Sequence, residues 1–266
     1  MITYDEFINY LRSQEDYTDT ELAVAMYCIE DDYGDYMGAL ESNGYEEDDP
    51  DTWDDALFNT ADEYRVQNEY GDCYSCNGAE YLVYDSYEYA TSEAIQSAKD
   101  IIEDCGYTCV NGWEDYVDEE WFEEAIREMN ESYAEDIESE GDFTFDNRLV
   151  QECYDNDLID DEDFELDDDG EPDYTQCTVD SYELQEMLAE YMTNDAIGYG
   201  AVRYYISNFG EEDFNEAVKQ HDLVDIDALA EYCVDEDGVA HYLASYDGNE
   251  NEIDFNGVTY YLFRCN

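Results

Sequence analysis

Carboxylates and thiols are the groups through which this chain could do chemistry. From 157 to 174 it reads DLIDDEDFELDDDGEPDY, where eleven of eighteen residues are Asp or Glu and none is Lys, Arg or His. A second acidic series, Glu120, Glu124, Glu128, Glu131 and Glu135, recurs at spacings of 4, 4, 3 and 4, which sets it along one face of a helix. Side chains at those spacings sit ~5–6 Å apart, and like charges there destabilise the helix. A solvated helix face ordinarily interleaves lysine, but here Arg127 is the only basic residue in the series. Three uses compete for such crowding: a calcium loop, a surface adapted to concentrated salt, and an imitation of nucleic acid.

Calcium is the weakest of them. A helix–loop–helix site needs Asp at its first position, Gly at its sixth and a bidentate Glu at its twelfth. Aligning Gly170 or Gly238 to the Gly position puts Glu165 or Cys233 first and Gln176 or Ala244 last. Zinc has a better case. Cys73-x-x-Cys76 and Cys105-x-x-x-Cys109 form two close pairs about thirty residues apart, and four thiolates can close a tetrahedral structural site. Small buried cysteines are also common, so the set is a weak structural candidate and no metal or other cofactor is assigned. The nine cysteines are odd in number and follow no secretion signal, which favours reduced thiols. Catalysis lacks a motif: His221 is read at a helix end and His241 within a strand, neither beside a recognisable nucleophile, and no Gly-rich phosphate loop occurs. The expectation is a protein that is not an enzyme.

The elements that hold these groups follow from periodicity. Thr3-Tyr-Asp-Glu6 and Thr18-Asp-Thr-Glu21 read as capping boxes. The second opens a helix with Leu22, Ala25, Met26 and Ile29 on one face, and a further helix is expected over 52–64. Asn77-Gly78 introduces a strand-like AEYLVYDSYEY, and 92–104 returns to helix. Glu119 to Glu140 is the clearest helix, with Phe122, Ile126, Met129, Tyr133 and Ile137 as its apolar stripe. Asp180-Ser-Tyr-Glu183 caps another, bearing Leu184, Met187, Leu188 and Tyr191, and two more are expected around 213–220 and 226–233. VAHYLASY and VTYYLF read as the strands of a closing β-hairpin. The expected class is α+β, mostly helical with short antiparallel hairpins. Its organisation is a helical domain over 1–150 with a β element near 78–86, an acidic loop or junction over 151–180, and helices plus the hairpin over 181–266.

Composition decides among the uses. The chain has 77 acidic and 8 basic residues, a formal net charge of -69 over 266 residues. Neither 13–64 nor 149–202 contains Lys or Arg. Leu, Ile, Val and Phe total only 50 residues, a share that with such charge ordinarily signals disorder. Twenty-nine Tyr and three Trp restore the missing apolar area, so the chain is read as folded. Most tyrosines are assigned to the core; Tyr17, Tyr33, Tyr36 and Tyr45, interleaved with acid, are read as exposed and available to a protein partner. No apolar run is long enough to span a bilayer, and the chain is expected to be soluble and cytoplasmic. The negative field excludes direct nucleic-acid binding and anionic membranes.

Salt adaptation explains abundant acid and scarce lysine, but requires neither nine cysteines nor 29 tyrosines. Mimicry accounts for more. Duplex DNA carries one charge per ~1.7 Å, and its binding proteins neutralise those charges with Lys and Arg. Glu120, Glu124, Glu128, Glu131 and Glu135, with Asp160, Asp161, Asp163, Asp167, Asp168 and Asp169, are the candidate phosphate mimics. Across nearly the whole chain the composition resembles phage and plasmid DNA mimics that block restriction enzymes and related defence systems. In addition, DEDGVAHYLASYDGNENE with TYYLFRCN, and EYLVYDSYEYATSEA, resemble segments of a family of uncharacterised tailed-phage proteins. The resemblance implies a phage origin and a basic, DNA-binding host defence protein as partner: a restriction–modification, BREX-like or CRISPR effector. Another basic nucleic-acid-binding host protein is the alternative target, a salt-adapted structural protein the alternative role. A homodimer is compatible with either.

Overall fold

The structure, a computed structural model, describes residues 2–31, 33–70, 73–138 and 147–266. The chain divides into two compact units. The first joins Met1–Cys105 to Ile226–Asn266, and the second is the intervening Gly106–Asp225. The expected junction at 151–180 is instead folded, and both boundaries lie elsewhere.

The first unit opens with helices α1 (Tyr4–Arg12), α2 (Asp19–Asp31), α3 (Tyr33–Ser42) and α4 (Trp53–Glu63), then strands β1 (Gln67–Tyr70), β2 (Cys73–Cys76) and β3 (Ala79–Tyr84), then α5 (Tyr87–Cys105). Both expected capping boxes are present. The Thr3 amide donates to Glu6 Oε2 at 2.8 Å and the Glu6 amide to Thr3 Oγ1 at 3.3 Å; Thr18 and Glu21 repeat the exchange at 2.8 and 3.2 Å. These bonds satisfy amides that the first turn of a helix leaves open. Asn77 and Gly78 both take positive φ, 49° and 82°, as a two-residue hairpin turn demands. The strand ends at Tyr84, short of the expected Tyr89, because Ser86 starts α5: its Oγ accepts from the Tyr89 amide at 3.4 Å.

In the second unit, α6 (Glu119–Glu138) and α7 (Arg148–Asp155) precede a hairpin of β4 (Phe164–Leu166) and β5 (Pro172–Cys177). Helices α8 (Ser181–Tyr199), α9 (Ala201–Phe209) and α10 (Glu211–His221) follow. The expected helix reached Glu140; residues 139 and 140 lie outside the described residues. Phe122, Ile126 and Ile137 of the predicted stripe are buried, with Met129 and Tyr133 half-buried. Each fully buried large apolar side chain contributes roughly 1.5–3 kcal/mol. Between α6 and α8, buried Asn130 donates to Thr193 Oγ1 at 3.1 Å. Phe122 also contacts Trp121, Tyr205 and Phe214 at centroid distances of 5.0, 5.1 and 5.6 Å. Entry and exit of this unit are tied together, the Asp118 amide donating to Leu223 O at 2.8 Å and the Asp225 amide to Tyr116 O at 3.0 Å.

The chain then completes the first unit with α11 (Ile226–Asp237), α12 (Val239–Leu243), β6 (Glu250–Phe255) and β7 (Val258–Arg264). The antiparallel sheet runs β1-β2-β3-β7-β6. Ala79, Tyr81, Val83, Ile253, Phe255, Tyr260 and Leu262 pack beneath α1–α4 in one core. On the other face Tyr84 meets Phe263 and Tyr89, and Tyr87 of α5 meets Tyr261. The closing hairpin exists, but its first strand is not 239–246. Val239 and Leu243, four apart, are buried by a short helix that starts after Gly238 at φ 86°, so His241 is helical. The strand role falls to acidic ENEIDF, which turns Ile253 and Phe255 inward and ends at a second Asn-Gly turn, Asn256-Gly257.

Two tyrosines read as exposed are core: Tyr36 is fully buried and Tyr45 is 8% exposed, its hydroxyl accepting from the Ile2 amide at 3.0 Å. Tyr17 packs half-buried against the same core, and the side chain of Tyr33 lies outside the described residues. The thiols also differ from expectation. Cys28 of α2 and Cys76 of β2 form a disulfide with a Cα–Cα separation of 6.5 Å.

Candidate functional site

Helix α6 presents Glu120, Glu124, Glu128, Glu131 and Glu135 to solvent, all exposed. At ~100° per residue they fall within about a quarter of the helix circumference, over a length of roughly 22 Å. That length corresponds to about six or seven base pairs of duplex DNA. Arg127 is ion-paired with Glu124 on the same helix, so the basic residue within the ridge already has a carboxylate partner.

The sequence reading missed a second row. Helix α8 runs antiparallel to α6; of its expected apolar stripe, Leu184 and Leu188 turn inward, Met187 is half-buried and Tyr191 is exposed. Glu186 and Glu190, four apart on another face, are exposed. With Glu131, Glu135 and Arg127 of α6 they line a groove of roughly 520 Å³, whose walls also include Tyr182, Ala189, Thr193, Asn194 and Ile197. Tyr182 is 65% exposed at one end. The Tyr182 phenol is pushed up by its hydrogen bond to Glu186 and by the charge of Glu186, and further by Glu131 and Glu135. The four carboxylates thus line a common volume. The signal that could have revealed the second row was the Glu186–Glu190 spacing, hidden behind a stronger apolar pattern.

The acidic stretch 157–174 is arranged differently. Asp160 accepts from the Glu162 amide at 2.8 Å, and Asp163 accepts from the Asp160 amide at 3.0 Å, which together cap a single helical turn. Asp161 Oδ1 accepts from the hydroxyls of Tyr154 at 3.1 Å and Tyr174 at 2.7 Å. Asp167 accepts from the amides of Asp169 and Glu171 at 2.9 and 3.0 Å, closing the β4–β5 turn. Asp168 and Asp169 are exposed at that turn. The ridge and this stretch belong to the same unit, but among the described residues the lined groove joins the ridge to α8, not to the hairpin.

Tyrosine takes the part that lysine and arginine usually play. Besides the Asp161 pair, Tyr4 donates to Glu30 at 2.6 Å and Tyr242 to Asp237 at 3.2 Å. Burial and these carboxylates hold the Tyr4 and Tyr242 phenols above their ordinary range. Most of the guanidinium groups, though exposed or half-buried, rest on the chain's own aromatic rings. Arg12, Arg65, Arg148 and Arg264 lie over Phe255, Tyr17, Tyr133 and Tyr246 at 5.3, 5.0, 5.7 and 4.0 Å. Arg203 binds Glu114 through two bonds of 2.8 and 2.6 Å, holding that carboxyl below its usual range. Lys99 pairs with Asp227.

The four-cysteine set is not assembled. Cys76 is bonded to Cys28, Cys73 is buried in β2, and Cys105 and Cys109 fall in different units. Among the described residues no group of three or more His, Cys, Asp or Glu side chains could hold a metal ion. His221 ends α10 and stacks on Trp121 at 4.9 Å, and His241 is exposed on α12. No described helix is long and apolar enough to cross a membrane. Compared with protein-family models, with curated proteins and with solved structures, the chain matches none.

Proposed function

We propose that this is a phage-encoded binder, not an enzyme, which imitates the phosphate backbone of duplex DNA and occupies the DNA-binding surface of a basic host defence protein. One observation carries the reading. Exposed carboxylate rows on two packed helices flank one groove, while Arg127, the basic residue in its lining, is paired with Glu124. Repulsion along such rows costs stability, and a basic cleft is the environment that would offset it. Complementary charge of this kind speeds encounter and sets register without reading bases. The Tyr182 ring beside the groove adds contact area of the type enriched at interfaces. Restriction–modification, BREX-like and CRISPR effectors are the target classes, reached in the host cytoplasm.

The test is capture of the target from bacterial lysate on immobilised protein, followed by elution with duplex DNA and, separately, with salt. Mimicry expects the captured protein to be displaced by DNA and its affinity to fall steeply as salt rises. A partner indifferent to DNA would end the proposal. Circular dichroism in low-salt buffer checks salt adaptation, which expects an unfolded chain there; mimicry expects the helices to persist.

A further inference from the structure

The disulfide joins the helical layer of the first unit to its sheet at an asymmetric position. Cys28 is 4% exposed on α2, in the core formed by Leu22, Ala25, Met26 and Ile29. Cys76 is half-buried at the end of β2, next to the exposed Asn77-Gly78 turn. Among the described residues, the sheet beyond β2 has only β1, a four-residue edge strand whose register with β2 shifts between Asn68 and Tyr70. The bond thus anchors the least supported side of the sheet to α2, across a sequence separation of 48.

We propose that Cys28–Cys76 is a reversible thiol–disulfide lock on this unit. A low-molecular-weight thiol of the glutathione class reaches the more accessible Cys76 sulfur. As its thiolate attacks, a new S–S bond forms to Cys76, the old one breaks, and the electron pair leaves on Cys28 Sγ, which takes a proton. A second thiol attacks the mixed disulfide, releasing the Cys76 thiol and one low-molecular-weight disulfide. Two electrons have then moved from the external thiols to the protein, and the same disulfide drives the reverse course. Disulfides in a reducing compartment are as a rule transient and redox-sensing, which bears on this bond given the proposed cytoplasmic location. Opening the lock frees α2 from β2 and loosens the β1–β2 edge, leaving the second unit unchanged.

The experiment uses the whole protein, equilibrated with glutathione disulfide or with reduced glutathione, then quenched at low pH, alkylated in denaturant and mapped by mass spectrometry, with hydrogen exchange of the folded protein run in parallel. After oxidation the bridged peptide should hold Cys28 and Cys76, and the other seven cysteines should be recovered alkylated or as mixed disulfides with glutathione. Reduction should make all nine reactive and speed amide exchange in 19–31 and 73–84 about tenfold or more, the sign of a lost local anchor, with 119–137 unaffected. Cys28→Ser should show the fast exchange under both conditions, and the wild-type comparison stands if that variant fails to fold. Nine reactive thiols after oxidation, a different bridged pair, or equal exchange in both states would each overturn the lock. None of these readouts involves a partner, so their failure leaves the proposed function untouched.

Discussion

On α6, Glu128, Glu131 and Glu135 are exposed carboxylates beyond the first turn, with no capping role among the described residues, whereas in 157–174 Asp160, Asp163 and Asp167 accept hydrogen bonds that shape turns and Asp161 accepts from two tyrosines. Charge density alone puts the two regions on a par. Hydrogen-bond accounting separates them: one set accepts bonds from its own turns and tyrosines, and the other lies mainly among like charge. Acid that does no local structural work is the better candidate for work elsewhere. The sharpest way to break this comparison is to neutralise each set in turn. Replacing Glu131, Glu135, Glu186 and Glu190 by Gln should lower affinity for the captured partner about 100-fold, at roughly 0.7 kcal/mol for each exposed contact. Melting temperature should hold or rise. An unchanged affinity would remove the groove from the interface.

The converse change belongs to the hairpin. Asp161→Ala removes the acceptor of two tyrosine hydroxyls and should cost about 1–2 kcal/mol of stability, read as a lower urea midpoint, with partner affinity within about twofold. If stability were untouched and affinity collapsed, the two regions would exchange roles.

High pH sharpens the same contrast. The Tyr174 phenol is raised first by its hydrogen bond to Asp161, and Tyr4 and Tyr242 are raised first by burial. The folded state therefore keeps these protons longer than the unfolded chain does. Their contribution to stability is complete below the ordinary tyrosine value of 10.0 and is lost as pH rises through the folded values above it. Thermal melts between about pH 9 and about pH 11.5 should show a steady fall, shallower in Asp161→Asn. A flat profile would mean that phenols do not hold the acid in place.

Part of this was legible from residues alone. Capping boxes, the Asn77-Gly78 turn and the α6 stripe depend on short-range chemistry, which spacing records directly. Helix α12 was misread because Val239 and Leu243 satisfy a helical face and an alternating strand equally over five residues. Tyr36 and Tyr45 looked exposed because acid surrounds them in sequence, yet a buried hydroxyl such as Tyr45's finds a backbone partner forty-three residues away. The insertion of Gly106–Asp225 into the first unit, and the pairing of Cys28 with Cys76, are long-range events that local pattern does not encode. The α6 row of the groove was visible as a spacing; its α8 wall needed the packing of two helices.

The smallest expected effect is the most direct on why the ridge exists. Glu128 follows Glu124 by four residues and precedes Glu131 by three, so it faces like charge on both sides. Glu128→Lys turns its contact with Glu131 into an attractive pair, which contributes ~0.2–0.5 kcal/mol, while Glu124 keeps Arg127 as its partner. Removing the Glu128–Glu131 repulsion adds a similar amount, giving about 0.4–1 kcal/mol in all and a rise of a few degrees at most in the melting midpoint. Arg127 adds little opposition, being already paired with Glu124. The variant should therefore be more stable than the natural chain and bind its partner less well. That pairing of gains and losses is expected where a surface gives up stability for function. If Glu128→Lys proved neutral or destabilising, the ridge would carry no penalty, and its acid would need no partner to explain it.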